Sequence, residues 1–159
     1  MKYLDTDIRP ATDNDINSIL EIENLCFVDP WKKEDLLYEM HSNPYSNFWV
    51  IELSNASLGL KQVVGFCDFW ITFDSATICQ IAVHPELQRM HIGSELMDDV
   101  IKEFYAKRVR TATLEVRKSN EKAINFYKKY GFTISHVKEG YYINGEDALY
   151  MILEVQNNG

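Results

Sequence analysis

Glu115 interrupts an apolar run, Leu114-Glu115-Val116. Strand alternation turns its side chain away from Leu114 and Val116 and onto the face shared by Thr113 and Arg117. A carboxylate in the middle of a sheet is costly unless it is solvated, paired or used, which makes Glu115 a candidate general base. A salt bridge to Arg117 or a nearby lysine explains it at least as well without any chemistry. The second candidate is the stretch Glu86-Leu87-Gln88-Arg89-Met90-His91-Ile92-Gly93-Ser94, which leads into a helical stripe. N–H groups at a helix N-terminus can hold an anion, Arg89 adds charge, and Gly93 lets the main chain approach a phosphate. Its glycine spacing matches neither a Walker loop nor a dinucleotide fingerprint. An ordinary strand-to-helix turn with a solvated arginine is the plainer alternative.

Other residues carry weaker signals. Tyr127 shares a helical segment with Ala123, Ile124 and Tyr130, where core packing is its default role. Tyr141 and Tyr142 precede a polar turn, a setting that suits either packing or a binding surface. Asn120 is by default a helix cap. Cys26, Cys67 and Cys79 form no C-x-x-C pair, and His41, His84, His91 and His136 have no close ligand spacing, so no metal site is expected.

These residues need a frame. Thr12 to Asp15 fits a capping box ahead of a helix reaching about Cys26. Asp29-Pro30-Trp31 predicts the start of a second helix, ended by Asn43-Pro44. Phe48–Leu53 and Val63–Thr72 read as an antiparallel hairpin, and Thr77–Val83 as a further strand. Ile92, Leu96, Met97, Val100, Ile101 and Phe104 mark one face of a helix. With the strand Thr111–Val116, this makes a βαβ unit with parallel strands. Asn120–Tyr130 is a helix closed by Gly131, and Phe132–Lys138 and Ala148–Val155 are two strands joined around Asn144-Gly145. The fold class is α/β, with helices on a mixed sheet that is antiparallel first and parallel in the middle.

Composition bounds the function. The 159 residues correspond to about one domain's length, expected to run over 1–155 with a flexible tail at 156–159. A 46% hydrophobic content supports a real core and argues against disorder. The 16 basic residues against 24 acidic ones leave a net charge of −8, which disfavours non-specific nucleic-acid binding. No signal peptide or bilayer-length apolar run is evident. A soluble, cytoplasmic protein without metal, nucleic-acid or membrane partners is expected.

Four segments taken together resemble the GCN5-related N-acetyltransferase (GNAT) superfamily. They are Ile81-Ala82-Val83-His84-Pro85, Gln88–Ser94, Leu114–Asn120 and Ala123–Phe132, in the family's order. Asp29-Pro30-Trp31 and the tail Tyr141–Met151 narrow the likeness to RimI-type ribosomal-protein-alanine N-acetyltransferases. The resemblance implies a GNAT fold with a splayed parallel strand pair, and acetyl-CoA as cofactor. Pantetheine would run beside Ile81, Ala82 and Val83. The pyrophosphate would rest on the amides of Arg89, Met90, His91, Ile92, Gly93 and Ser94, with Asn120 and Tyr127 also at the cofactor.

The same resemblance implies Glu115 as general base, Tyr127 as the acid that protonates the leaving thiolate, and Trp31, Tyr141 and Tyr142 at the acceptor. That acceptor would be a protein N-terminus, with a ribosomal protein first in line. A small amine, a lysine, another protein N-terminus, or non-catalytic acyl-CoA binding are the alternatives. His91 stands where the family usually has glycine. It is expected to keep a negative φ in the first turn of a helix, with its ring turned outward.

Overall fold

The N–H of Thr12 donates to the Asp15 carboxylate at 2.8 Å, so the capping box forms as the sequence predicts, and α1 (Ile16–Cys26) follows it. The structure, a computed structural model, describes residues 4–155; the expected tail at 156–159 lies outside them. The chain divides into two compact units. One holds the residues up to Trp70 together with Gln80–Lys102, and the other holds Ile71–Cys79 together with the chain from Glu103 onward. Seven strands are hydrogen bonded in the order β1-β2-β3-β4-β5-β7-β6. They are β1 (Leu4–Pro10), β2 (Ser46–Asn55), β3 (Leu60–Thr72), β4 (Ser75–Val83), β5 (Thr111–Arg117), β6 (Thr133–Lys138) and β7 (Ala148–Glu154).

In the first unit β1, β2 and β3 form an antiparallel meander. Its core packs Ile16, Ile19 and Ile22 of α1 and Leu36 of α2 (Lys33–His41) with Phe48, Val50, Val63, Phe66 and Ala82. The rings of Phe48 and Phe66 stack at 5.6 Å. Strand β1 is an element that the sequence pattern does not reveal, because alternating Asp5, Asp7 and Arg9 dilute its apolar signal and Pro10 ends it. It is an edge strand paired from Leu4↔Asn55 to Pro10↔Trp49, the position in a sheet where polar residues and proline are tolerated.

Helix α2 starts later than Asp29-Pro30-Trp31 predicts. The N–H of Trp31 is taken by the Glu23 carboxylate at 3.0 Å, a tertiary bond, and Asp35 caps the N–H of Lys32 at 3.0 Å. A bulge between Ile51 and Glu52 interrupts the β2–β3 register. Beside it, a Cβ on Gly65 would lie 2.9 Å from the Ala82 carbonyl oxygen and 2.9 Å from Ile51 Cγ2. Only glycine fits there without displacing backbone.

In the second unit, β4 and β5 run parallel through the pairs Ser75↔Thr111 to Ile78↔Leu114. The other edge of β5 pairs antiparallel with β7, and β7 in turn with β6. Ala112, Leu114 and Val116 are buried while Thr113, Glu115 and Arg117 are half-buried, the alternation expected for β5. Helix α3 (Ile92–Ala106) precedes β5, and α4 (Glu121–Lys129) follows it. The Asn120 side chain accepts from the Ala123 N–H at 3.2 Å, and Gly131 ends α4 with φ 99°. Among the described residues, no helix is long and apolar enough to cross a membrane.

Candidate active site

Glu115 is the first β5 residue beyond the four parallel pairs with β4, and it remains opposite Tyr150 of β7. Its side chain is 27% exposed. The Tyr141 hydroxyl donates to Oε1 at 2.8 Å, and Lys138 Nζ makes a short ion pair with Oε2. A nearby lysine is one of the two plain readings of Glu115, and Lys138 is such a partner. Lys138 reaches Glu115 because β7 lies between β5 and β6, so that Arg117 and Lys138 share Ala148 as neighbour. Hydrogen bonding to Glu115 raises the pKa of both Lys138 and Tyr141.

Arg117 frames the loop. It donates to Glu146 at 3.0 Å and to Asn144 Oδ1 at 3.1 Å, and its guanidinium lies 3.9 Å from the centre of the Tyr142 ring. The Ser119 N–H donates to Glu146 at 2.8 Å. Bonds from Ser119 and Arg117 hold the Glu146 carboxyl below its usual range. Tyr141 and Tyr142 meet edge to face at 5.1 Å, and burial lifts the Tyr142 phenol to about 12. The paired tyrosines therefore differ. Tyr141 is half-exposed and bonded to the candidate base, whereas Tyr142 is a packed post stacked on Arg117.

Tyr127 is 8% exposed and packs its ring against Phe126 at 5.7 Å and Phe132 at 5.8 Å. Asn120 acts as the cap of α4. Both occupy the structural roles that sequence alone assigns by default. Lys138 is a site residue that sequence reasoning does not single out, because no local pattern links it to a residue 23 positions away.

In the first unit, Ile81, Ala82 and Val83 end β4, and the Val83 carbonyl accepts from Gln88 Nε2 at 3.1 Å. A 3-10 turn then runs from Pro85 to Met90, with the exposed side chain of Arg89 near its end. His91 departs from expectation. Its φ is 60° and ψ 20°, a left-handed conformation between the 3-10 turn and α3. His91 closes the 3-10 turn in the left-handed conformation that commonly terminates a helical segment, before α3 begins. The ring is exposed, as expected. The first intrahelical bond of α3 runs from the Glu95 N–H to the His91 carbonyl at 3.1 Å, so the amides of Ile92, Gly93 and Ser94 precede it. Trp31 packs against the core cluster of this unit.

Comparison with known proteins identifies the chain's relatives. The acetyltransferase (GNAT) family model matches residues 16–132. A Bacillus subtilis (strain 168) protein provisionally named ribosomal protein bS18-alanine N-acetyltransferase is 37% identical over 138 residues, covering 86% of this chain and 87% of that protein. The Escherichia coli (strain K12) ribosomal protein bS18-alanine N-acetyltransferase is 32% identical over 145 residues, covering 89% of this chain and 92% of the relative. The crystal structure of the ribosomal-protein-S18-alanine N-acetyltransferase from Escherichia coli superposes with a TM-score of 0.83 at 27% identity, covering 98% and 97% of the two chains.

Proposed function

The chain belongs to the acetyltransferase (GNAT) family, and from that premise we propose that it transfers acetyl from acetyl-CoA to the N-terminal alanine of ribosomal protein bS18. The observation that carries the reading is the likeness to relatives of that name at 32% and 37% identity over most of both chains. Residues 1–155 serve as one acetyltransferase domain in this reading, supported by a family match that runs through segments of both units.

Acetyl-CoA supplies an activated thioester carbonyl. A protein α-amine has a pKa near ~7.7–8.0, so much of it is protonated at neutral pH and cannot attack. Glu115 removes that proton, and its partial exposure and exchangeable donors suit it to the task. Tyr141 holds Oε1 in place, and the incoming amine displaces Lys138 as donor to Oε2. The Tyr127 hydroxyl gives its proton to the departing thiolate.

Ile81, Ala82 and Val83 offer main-chain groups to pantetheine, and Asn120 contacts the same arm. Arg89, with the amides from Met90 to Ser94, holds the pyrophosphate through helix-terminal N–H groups and charge. His91 fits this role because its left-handed backbone is the one that a glycine would supply and the residue is exposed. Trp31, Tyr141 and Tyr142 hold the acceptor peptide.

The test is direct. The purified protein is incubated with acetyl-CoA and ribosomal proteins, and N-termini are read by mass spectrometry. Acetylation of bS18 at its N-terminal alanine is expected. Acetylation confined to lysine side chains or polyamines overturns the acceptor assignment.

A further inference from the structure

Glu23, near the end of α1, is fully buried at 0% exposure. Its two oxygens are used unequally. The Trp31 backbone N–H at 3.0 Å and Gln80 Nε2 at 2.8 Å both donate to Oε2. Among the described residues Oε1 has no hydrogen-bond partner, and neither has the side-chain oxygen of Gln80. The groups acting on Glu23 are those two N–H donors and the negative charge of Asp35 on α2, so no cation among the described residues offsets its burial. Cys26, three residues on, is no cation either, and its thiol donates to the Val83 carbonyl at 3.3 Å.

An ionised carboxylate in this position would leave one charged oxygen buried and bare, which is strongly unfavourable. A proton on Oε1 removes the buried charge and turns that oxygen into an O–H donor, while Oε2 keeps its two N–H donors as a carbonyl oxygen does. The bare oxygen of Gln80, the residue already bonded to Oε2, is the acceptor assigned to it. Burial pushes the Glu23 pKa upward, in the same direction.

We propose that Glu23 is held as a neutral carboxylic acid paired with the Gln80 amide, and that this pair is a positioning element tying Trp31 to the strand that continues into Ile81–Val83. Glu23 touches no reacting atom. It fixes Trp31 through the backbone N–H and Gln80 through its head group, so it sets where the acceptor-side residue lies relative to β4. The state of the carboxyl stands by itself; its effect on turnover rests on the acetyl-transfer reading given above.

Two measurements test it with the full chain. Infrared difference spectra of wild type minus Glu23→Gln at pH 7 should contain a lost carboxylic-acid C=O band; a lost carboxylate band overturns the neutral acid. In steady-state kinetics with acetyl-CoA and a peptide bearing a free N-terminal alanine, Glu23→Gln should keep kcat and both KM values within about threefold. The amide NH₂ replaces the O–H donor and its oxygen accepts the same two N–H groups. Glu23→Leu, or Glu23→Asp where the leucine variant does not fold, should raise the peptide KM by about tenfold with kcat nearly unchanged, the size expected when the bond that holds the Trp31 N–H is lost.

An unchanged peptide KM overturns the positioning role. A fall in kcat with a displaced pH profile in Glu23→Gln overturns it too, because Glu23 would then be exchanging protons. Absence of any transfer by the wild type rejects the acetyl-transfer reading, and the infrared result still decides the carboxyl.

Discussion

Glu115 on β5 and Asp68 on β3 are both acidic residues set into strands, and their surroundings fit them for opposite tasks. Glu115 keeps 27% side-chain exposure and is held by Lys138 and the Tyr141 hydroxyl. Asp68 is fully buried and accepts from Ser46 Oγ at 2.6 Å. Burial, reinforced by a hydrogen bond with Glu39 of α2, lifts the Asp68 carboxyl to about 9, so it is a neutral acid near pH 7. Desolvation works against ionised Glu39 as well, but hydrogen bonds from Asp68, Asn43 and Trp70 hold its carboxyl below the ordinary value. The Trp70 indole donates to it at 2.6 Å and Asn43 at 3.0 Å. A carboxylate whose donors can be exchanged with water can trade protons with a substrate; one sealed among fixed partners can only hold structure. Residue type does not separate the two cases. Access does.

The largest effect should come from breaking the open member of this contrast. Glu115→Gln is expected to lower kcat/KM by about 10²–10⁴, the usual worth of general-base assistance, with the deficit shrinking at higher pH as the free amine becomes available. Acetyl-CoA affinity measured by calorimetry should stay close to wild type. Full activity in the glutamine variant at neutral pH removes Glu115 from the mechanism.

Tyr127→Phe keeps the ring contacts with Phe126 and Phe132 and removes only the hydroxyl. A fall in kcat of about 10², the low end for acid assistance, is expected with little change in thermal midpoint. A lower Tm with unchanged specific activity assigns Tyr127 to packing alone.

The sealed member should respond in stability instead. The Asp68 carboxyl rises from an ordinary 3.8 to about 9 on folding, so between those values the native state binds the extra proton. Its contribution to stability is therefore complete below about 4 and is lost as pH rises through about 9. Glu39 is ionised in both states above pH 6 and adds no slope there. Thermal melts from pH 6 to 10 should show Tm falling more steeply in wild type than in Asp68→Asn, whose amide cannot ionise. Equal slopes would mean that Asp68 is not the titrating group.

His91→Gly should have the smallest effect. A non-glycine residue at positive φ costs about 1 kcal/mol relative to glycine, so the variant should be slightly more stable in denaturant titration. Its affinity for acetyl-CoA should change by less than about tenfold. A much larger gain in affinity makes the imidazole an obstruction.

Much of this protein is legible in short stretches of its chain. The period of 2 in Thr111–Arg117 places Glu115 on the open face, and the period of 3.6 from Ile92 identifies α3. Thr12 with Asp15, and Tyr130 with Gly131, mark helix ends because capping and left-handed termination are local chemistry. The start of α2 escapes such reading because the Trp31 amide is claimed by Glu23, a bond set by how the chain folds back on α1 and not by any capping pattern. Strand β1 escapes it because an edge strand needs no strong apolar signal. For His91 the sequence points to the wrong sign of φ, since the junction between a 3-10 turn and α3 sets its backbone rather than its own preference.

The sequence by itself determined which residues could do chemistry and which elements carry them, because alternation, periodicity and caps act over a few residues. It also carried the family likeness, whose motifs are short and ordered along the chain. Only the tertiary structure decided who meets whom. Lys138 meets Glu115 because β7 pairs on both of its edges, with β5 on one and β6 on the other. Glu23 meets Gln80 across 57 residues, and Asp68 lies beside Glu39. Those pairings set solvation and proton affinity, which depend on distance and burial in three dimensions and have no counterpart in sequence spacing.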